Sequence, residues 1–141
     1  MGYRWAFAAL IVLQLIGCAD FARWVRQYTY PPEFHYVERD EVRSTMRQLA
    51  FHSRELNQLI QSSDGPEKSR SEIIMHLRAM EEAAQKLAQS GWPTNHPMID
   101  MNLPRFRADL KFAREAIERE PPDFPFVGPV TGACVHCHGG R

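Results

Sequence analysis

The chain has 141 residues, enough for one domain, and its hydrophobic and charged fractions of 44% and 24% are ordinary for a globular protein. Its 17 basic and 17 acidic residues balance, so the charge indicates neither nucleic acid nor a basic partner. The three cysteines do not predict a disulfide framework, because each has another assignment along the chain.

Residues 1–17 have the features of an export signal. Arg4 supplies the early positive charge, and an apolar stretch follows. That stretch is about 12 residues long, too short to span a bilayer core of about 30 Å as a helix. It closes with Leu15-Ile16-Gly17-Cys18, which resembles the lipobox of bacterial lipoproteins. The resemblance implies cleavage before Cys18 and acylation of that cysteine.

This lipidation at Cys18 predicts a protein held by acyl chains on the periplasmic side of a membrane. Ala19 rather than Asp follows the cysteine, so the outer membrane is mildly preferred. A plain signal peptide, or a short uncleaved anchor, stays open as the alternative. Residues 18–36 are predicted to form a tether, since Pro31-Pro32 cannot continue a helix, and residues 37–141 to form the folded domain.

Two helices are predicted first, over about residues 38–61 and 66–90. Their apolar residues recur mostly at separations of three and four, which places each set on one helical face. Asp64 is a candidate cap for the second helix, and Gly91 suits the position just beyond its end. The apolar positions are Val42, Met46, Leu49, Leu56 and Leu59 in the first helix, and Ile73, Leu77, Met80, Ala84 and Leu87 in the second.

A third helix is predicted over about residues 104–120, with Asn102 as its cap and Pro121-Pro122 beyond its end. The segment 91–102 is then a long linker, and Pro129–His138 can form a short fourth helix. The shared spacing of three and four is the seam of helices in bundles. We therefore expect an all-α fold, an antiparallel four-helix bundle whose fourth helix is short and C-terminal.

The short fourth helix carries Cys134-Val135-His136-Cys137-His138. This spacing is a c-type haem attachment signal, in which two thiols bond the macrocycle and the histidine ligates its iron. A redox dithiol usually accompanies a βαβ pattern, which the sequence lacks. A zinc site built on the same residues, or a chance match, remains an alternative. The prediction is one covalent haem c on Cys134 and Cys137, with His138 as metal ligand.

The position of this motif and the helix order resemble the class II c-type cytochromes, the cytochrome c-prime group. A weaker local match is Met46-Arg47-Gln48-Leu49-Ala50-Phe51-His52, and the resemblance covers about residues 38–141. It implies a haem-bearing last helix and places Met46 on the distal side of the iron. The motif is followed by Gly139-Gly140-Arg141, where the family has an aromatic residue and Arg.

The second axial ligand decides the expected function. Met46 is the leading candidate, and the alternative is a methionine that only fills the core. A methionine ligand favours electron transfer, whereas an open position favours binding of NO or CO. His52, His76, His96, Met98 and Met101 are weaker candidates, and His136 is expected to be exposed.

We therefore expect a membrane-tethered periplasmic cytochrome that transfers single electrons and is not an enzyme, since no catalytic motif is present. Its predicted partners are redox proteins of a respiratory chain and the membrane itself, without nucleic acid; a homodimer stays open. A five-coordinate sensor or scavenger of NO or CO, and a structural lipoprotein, are the alternatives.

Overall fold

The computed structural model describes residues 21, 24–25, 28–29, 34–89 and 93–139. The export signal, Cys18, Gly91 and Arg141 lie outside the described residues. The chain divides into two units, residues 1–34 and 35–141. In the first unit the Trp24 ring lies 6.1 Å from that of Phe21 and 5.0 Å from that of Tyr28, measured between centroids.

The second unit is built from helices. The described residues contain no β-strand, and the β contact found among them is an isolated bridge between His35 and Thr94. The prediction of an all-α protein with packed helices is confirmed. In chain order the helices are α1 (Arg39–Ile60), α2 (Arg70–Gln89), α3 (Pro97–Glu118), a 3-10 helix (Phe124–Phe126), α4 (Val127–Gly132) and α5 (Val135–His138).

The connection between α1 and α2 is longer than the sequence predicted. Gly65 has a φ of 83°, a left-handed conformation that suits glycine, and its N–H donates to Ser62 O at 3.2 Å. Residues 66–69 then form turns before α2 begins at Arg70. The predicted start at Pro66, and with it the cap at Asp64, is therefore wrong.

The third helix starts at Pro97, not at Pro104 as predicted. Asp100 stabilises the first turn by accepting hydrogen bonds from Thr94 N at 2.8 Å and Thr94 Oγ1 at 2.6 Å. Proline is tolerated at the first helical position because its missing N–H has no partner there. Asn102 is no cap, since it lies inside α3 and its Nδ2 donates to Met98 O at 2.9 Å.

The core lies between the three long helices and α4. Packing of each fully buried aliphatic side chain stabilises the fold by roughly 1.5–3 kcal/mol relative to exposure. The pairs Arg78–Glu118 (2.8 Å) and Glu81–Arg114 (2.9 Å) show that α2 and α3 run antiparallel, because one residue number rises as its partner's falls. The largest fully buried side chains are Leu56, Ile73, Leu77, Met80, Leu110, Ile117, Val127 and Val130.

The predicted fourth helix is broken into two short pieces. It begins at Val127, earlier than the predicted Pro129, and a turn at residues 133–134 separates α4 from α5. Ser53 of α1 donates from Oγ to Thr131 O of α4 at 3.1 Å, which holds α4 against α1. None of the helices in the described ranges is both long and apolar enough to cross a lipid bilayer.

Candidate cofactor site

The Cys-x-x-Cys-His motif forms one helical turn at the end of the described chain. Cys134 occupies the position before α5, and Cys137 and His138 lie within that helix. The amide of His138 donates to Cys134 O at 3.0 Å, and that of His136 donates to Ala133 O at 3.1 Å. Because residues three and four apart share a helical face, this turn places the two cysteines and His138 on one side.

A cavity of about 180 Å³ lies beside this turn, between α1, α3 and α5. The structure thus brings Met46 together with Cys134, Cys137 and His138, the four predicted site residues within the described chain. The lining residues are Met46, Leu49 and Ala50 of α1, then Ile99, Asn102, Leu103, Arg105, Phe106 and Asp109 of α3, and Ala133, Cys134, His136, Cys137 and His138.

The wall of the cavity opposite the motif is apolar because two helical stripes meet there. Met46 and Leu49 lie one turn apart on α1, and Leu103 and Phe106 lie one turn apart on α3. Leu49 and Leu103 are buried, whereas Met46 and Phe106 are half-buried. A half-buried thioether therefore faces the same space as the imidazole and thiols of the motif.

The cavity lining also contains two charged side chains. Arg105 and Asp109 line the cavity from adjacent turns of α3, with Nε and Oδ2 3.9 Å apart. Both side chains are largely exposed, so their mutual attraction is weak in water. Arg105 supplies a positive charge beside the cavity that can attract an anionic group.

The two cysteines are free thiols in different surroundings. Cys134 is exposed and Cys137 half-buried, with Cys137 Sγ 4.0 Å from Met98 O. Burial raises the pKa of the Cys137 thiol, and the neighbouring Cys134 adds to the increase. Among the described residues, no group of three His, Cys, Asp or Glu side chains could hold a metal ion.

The weaker ligand candidates lie elsewhere, and none of these five described side chains lines the cavity. His52 and His76 contact each other between α1 and α2. His96 Nε2 lies 3.2 Å from Val37 O, at the start of α3. Met98 and Met101 were expected in a loop that folds over a haem edge, but both belong to α3 and are exposed.

Sequence reasoning missed the contribution of α3 to this site. Its apolar spacing was recognised from Leu103 onwards, but the start of the helix was placed too late. Ile99 extends the same stripe one turn towards the N-terminus and was assigned to the linker. His136 is exposed, as expected. It also lines the cavity, whereas its place in the motif had predicted that it points away from the haem.

The donors around this cavity suit a haem better than a bare metal ion. Two thiols, an imidazole and a thioether meet an apolar wall, which is the chemistry of covalent attachment and of His/Met axial ligation. No family model, no curated protein and no solved structure matches this chain.

Proposed function

We propose that this chain is a membrane-tethered monohaem c-type cytochrome that transfers single electrons. The observation that supports it best is that Met46 of α1 and the Cys-x-x-Cys-His turn line the same cavity, although their helices are far apart in the sequence. The motif alone supports attachment of haem. The thioether opposite it supports a six-coordinate iron, which suits an electron carrier.

Four side chains of this protein would hold the haem. Cys134 and Cys137 would hold the macrocycle through thioether bonds, and His138 would bind its iron from the same helical turn. Met46 of α1 would be the further side chain that binds the iron. The bound haem supplies a one-electron couple between ferric and ferrous iron, and a methionine ligand raises its reduction potential.

The apolar wall of the cavity would raise the reduction potential of this ferric–ferrous couple. Leu49, Leu103 and Phe106 line the cavity with apolar side chains, which would keep water from that side of a bound haem. A dry, apolar surrounding disfavours the extra charge of the ferric state and so raises the reduction potential.

The size of the cavity favours an exposed cofactor edge. Sites that enclose a small molecule have volumes of about 300–1,000 Å³, and this cavity measures about 180 Å³. Cys134 and His138 are themselves exposed. A macrocycle held there would keep part of its edge at the surface, where a redox partner can approach it.

The lipid anchor completes the proposal. Acylation at Cys18 would hold the domain at the periplasmic face of a membrane, with the outer membrane preferred. Tethering raises the effective concentration of the domain near redox proteins of a respiratory chain. Because c-type attachment in bacteria takes place outside the cytoplasm, export by this signal agrees with covalent haem.

The proposal is tested by intact mass measurement of the full chain, purified from a host able to attach haem c. We expect the added mass of one haem, which Cys134→Ala combined with Cys137→Ala should abolish. His35→Ala is the matched control and should keep the haem, because His35 is exposed and does not line the cavity. Wild-type protein without added mass would refute the attachment and leave a structural lipoprotein.

The visible spectrum of the same material then separates electron transfer from gas binding. A low-spin ferric spectrum with a band at about 695 nm is expected for His/Met ligation. A high-spin spectrum that changes when CO is added would instead identify a five-coordinate protein that binds NO or CO.

A further inference from the structure

Two histidines outside the cofactor cavity are held in direct contact by the bundle. His52 of α1 and His76 of α2 have Nδ1 atoms 2.8 Å apart, and their ring centroids are separated by 5.1 Å. At this distance one Nδ1–H donates to the lone pair of the other Nδ1, so at least one imidazole carries its proton on Nδ1. We propose that these two histidines bind a divalent transition-metal ion of the zinc or copper type.

The geometry of the pair requires little adjustment to accept such an ion. Zinc binds histidine nitrogen at about 2.0–2.1 Å, so two nitrogens on one tetrahedral ion lie about 3.3 Å apart. The two Nδ1 atoms need to separate by only about half an ångström from their hydrogen-bonded positions. The proton on the donating Nδ1 would pass through solvent to Nε2 of the same ring, so that both neutral imidazoles could offer an Nδ1 lone pair to the ion.

The two rings are already ordered by their neighbours. His52 and His76 are both half-buried, and each projects from a long helix that packs against the other. The Phe51 ring lies edge-on to both imidazoles, with centroids 5.1 Å from His52 and 6.4 Å from His76. Side chains held in place before binding lose little conformational entropy on binding, which favours affinity.

The electrostatics of the pair also suit a cation. Metal ions need an unprotonated imidazole nitrogen. Burial lowers the pKa of His52, and the nearby His76 lowers it further, which favours the unprotonated ring. Glu55 opposes this shift from one turn along α1, and its carboxylate would partly balance the charge of a bound dication. Arg54 lies 3.6 Å from that carboxylate and directs its guanidinium over Phe51.

The class of metal follows from the ligands. Imidazole is a ligand of intermediate softness that suits Zn²⁺, Cu²⁺ and Ni²⁺, with Cu²⁺ bound most tightly in the divalent series. The described residues provide two imidazoles and no third metal-binding side chain beside them. Water therefore completes the coordination, and such an open site exchanges its ion. The site is independent of the haem, since neither ring lines the cofactor cavity.

The experiment is a calorimetric titration of the full-length, chelator-treated protein with Zn²⁺ at neutral pH. We expect uptake of zinc by wild-type protein, with affinity at least tenfold weaker in His52→Gln and in His76→Gln. His35→Gln is the matched control, because His35 is exposed and lies outside the pair. Zinc taken up by free thiols of chains that lack haem would persist in both glutamine variants.

Equal affinity in wild type and the two glutamine variants would overturn the proposal, as would no uptake by wild type at about 0.1 mM zinc. A second measurement needs no variant. Saturating Zn²⁺ should protect His52 and His76 of the wild-type protein from diethyl pyrocarbonate, while His35 stays reactive. Equal modification of the pair with and without zinc would likewise refute the site.

Discussion

Met46 on α1 and His138 on α5 line the same cavity, although they lie near opposite ends of the folded part of the chain. Two features bring them together. Ser53, two turns beyond Met46 on α1, donates a hydrogen bond to Thr131 O on α4. Val127 and Val130 of α4 are buried in the same core. The position of the motif turn relative to Met46 therefore depends on how α4 packs.

Replacement of Met46 by leucine tests the second axial ligand. Met46→Leu should keep the haem attached but turn the iron high-spin and lower its reduction potential, because leucine has no lone pair to donate. The ferric band at about 695 nm should disappear. Met101→Leu is the control, since Met101 is exposed on α3 and does not line the cavity. An unchanged spectrum in Met46→Leu would exclude Met46 as ligand.

Loss of the Ser53 hydrogen bond should loosen the site without removing any ligand. Ser53 is 8% exposed, and Ser53→Ala leaves Thr131 O without this donor, at a cost of about 0.5–1.5 kcal/mol in unfolding free energy. Urea denaturation measures the change. Ser44→Ala on the exposed face of α1 should shift stability by less than about 0.5 kcal/mol. Equal effects of the two variants would contradict a role of Ser53 in holding α4.

A substitution in the core, at Leu110, should cause a larger loss of stability. This side chain is 0% exposed in the centre of α3, and Leu110→Ala should cost about 2–5 kcal/mol through lost burial and the cavity left behind. Chemical denaturation of the haem-loaded protein is the measurement. Met75→Ala is the control, since Met75 is 55% exposed and its loss should change stability by at most about 0.5 kcal/mol.

Stability should also depend on pH through His52. Its pKa in the folded protein lies below the ordinary value of 6.5, first because of burial and then because of His76. The unfolded chain therefore binds more protons, and stability, fully present above about pH 6.5, is lost as the pH falls towards the folded pKa. Urea midpoints measured from about pH 7.5 to about pH 5 should fall more steeply for wild type than for His52→Gln. Parallel curves would rule out this contribution.

The lipid anchor is tested by fractionation. Cys18→Ser removes the thiol that would be acylated, so the haem domain should move from the membrane pellet to the soluble periplasmic fraction. Conversion of Cys134 and Cys137 to serine should leave the anchor intact and serves as control. A Cys18→Ser protein that still sediments with membranes would identify a different anchor.

The sequence predicted α1 and the body of α2 because their apolar residues repeat at helical spacing over about four turns or more. The start of α3 was placed too late because the helix was predicted to begin at Pro104 with Asn102 as its cap, and residues 91–102 were assigned to a linker. In the folded chain, Thr94 and Asp100 support the first turn, and Asn95 exchanges hydrogen bonds with Val37. The contacts between Asn95 and Val37 join residues far apart in the chain, so no local pattern could reveal them.

The sequence by itself determined the helical class, the apolar faces of the long helices and the motif with its two thiols and imidazole, since all three depend on spacing within a single segment. Only the tertiary structure decided that Met46 and the α3 stripe share a cavity with His138, and that His52 meets His76. Such contacts depend on how helices pack and rotate against one another, which is set by the core as a whole.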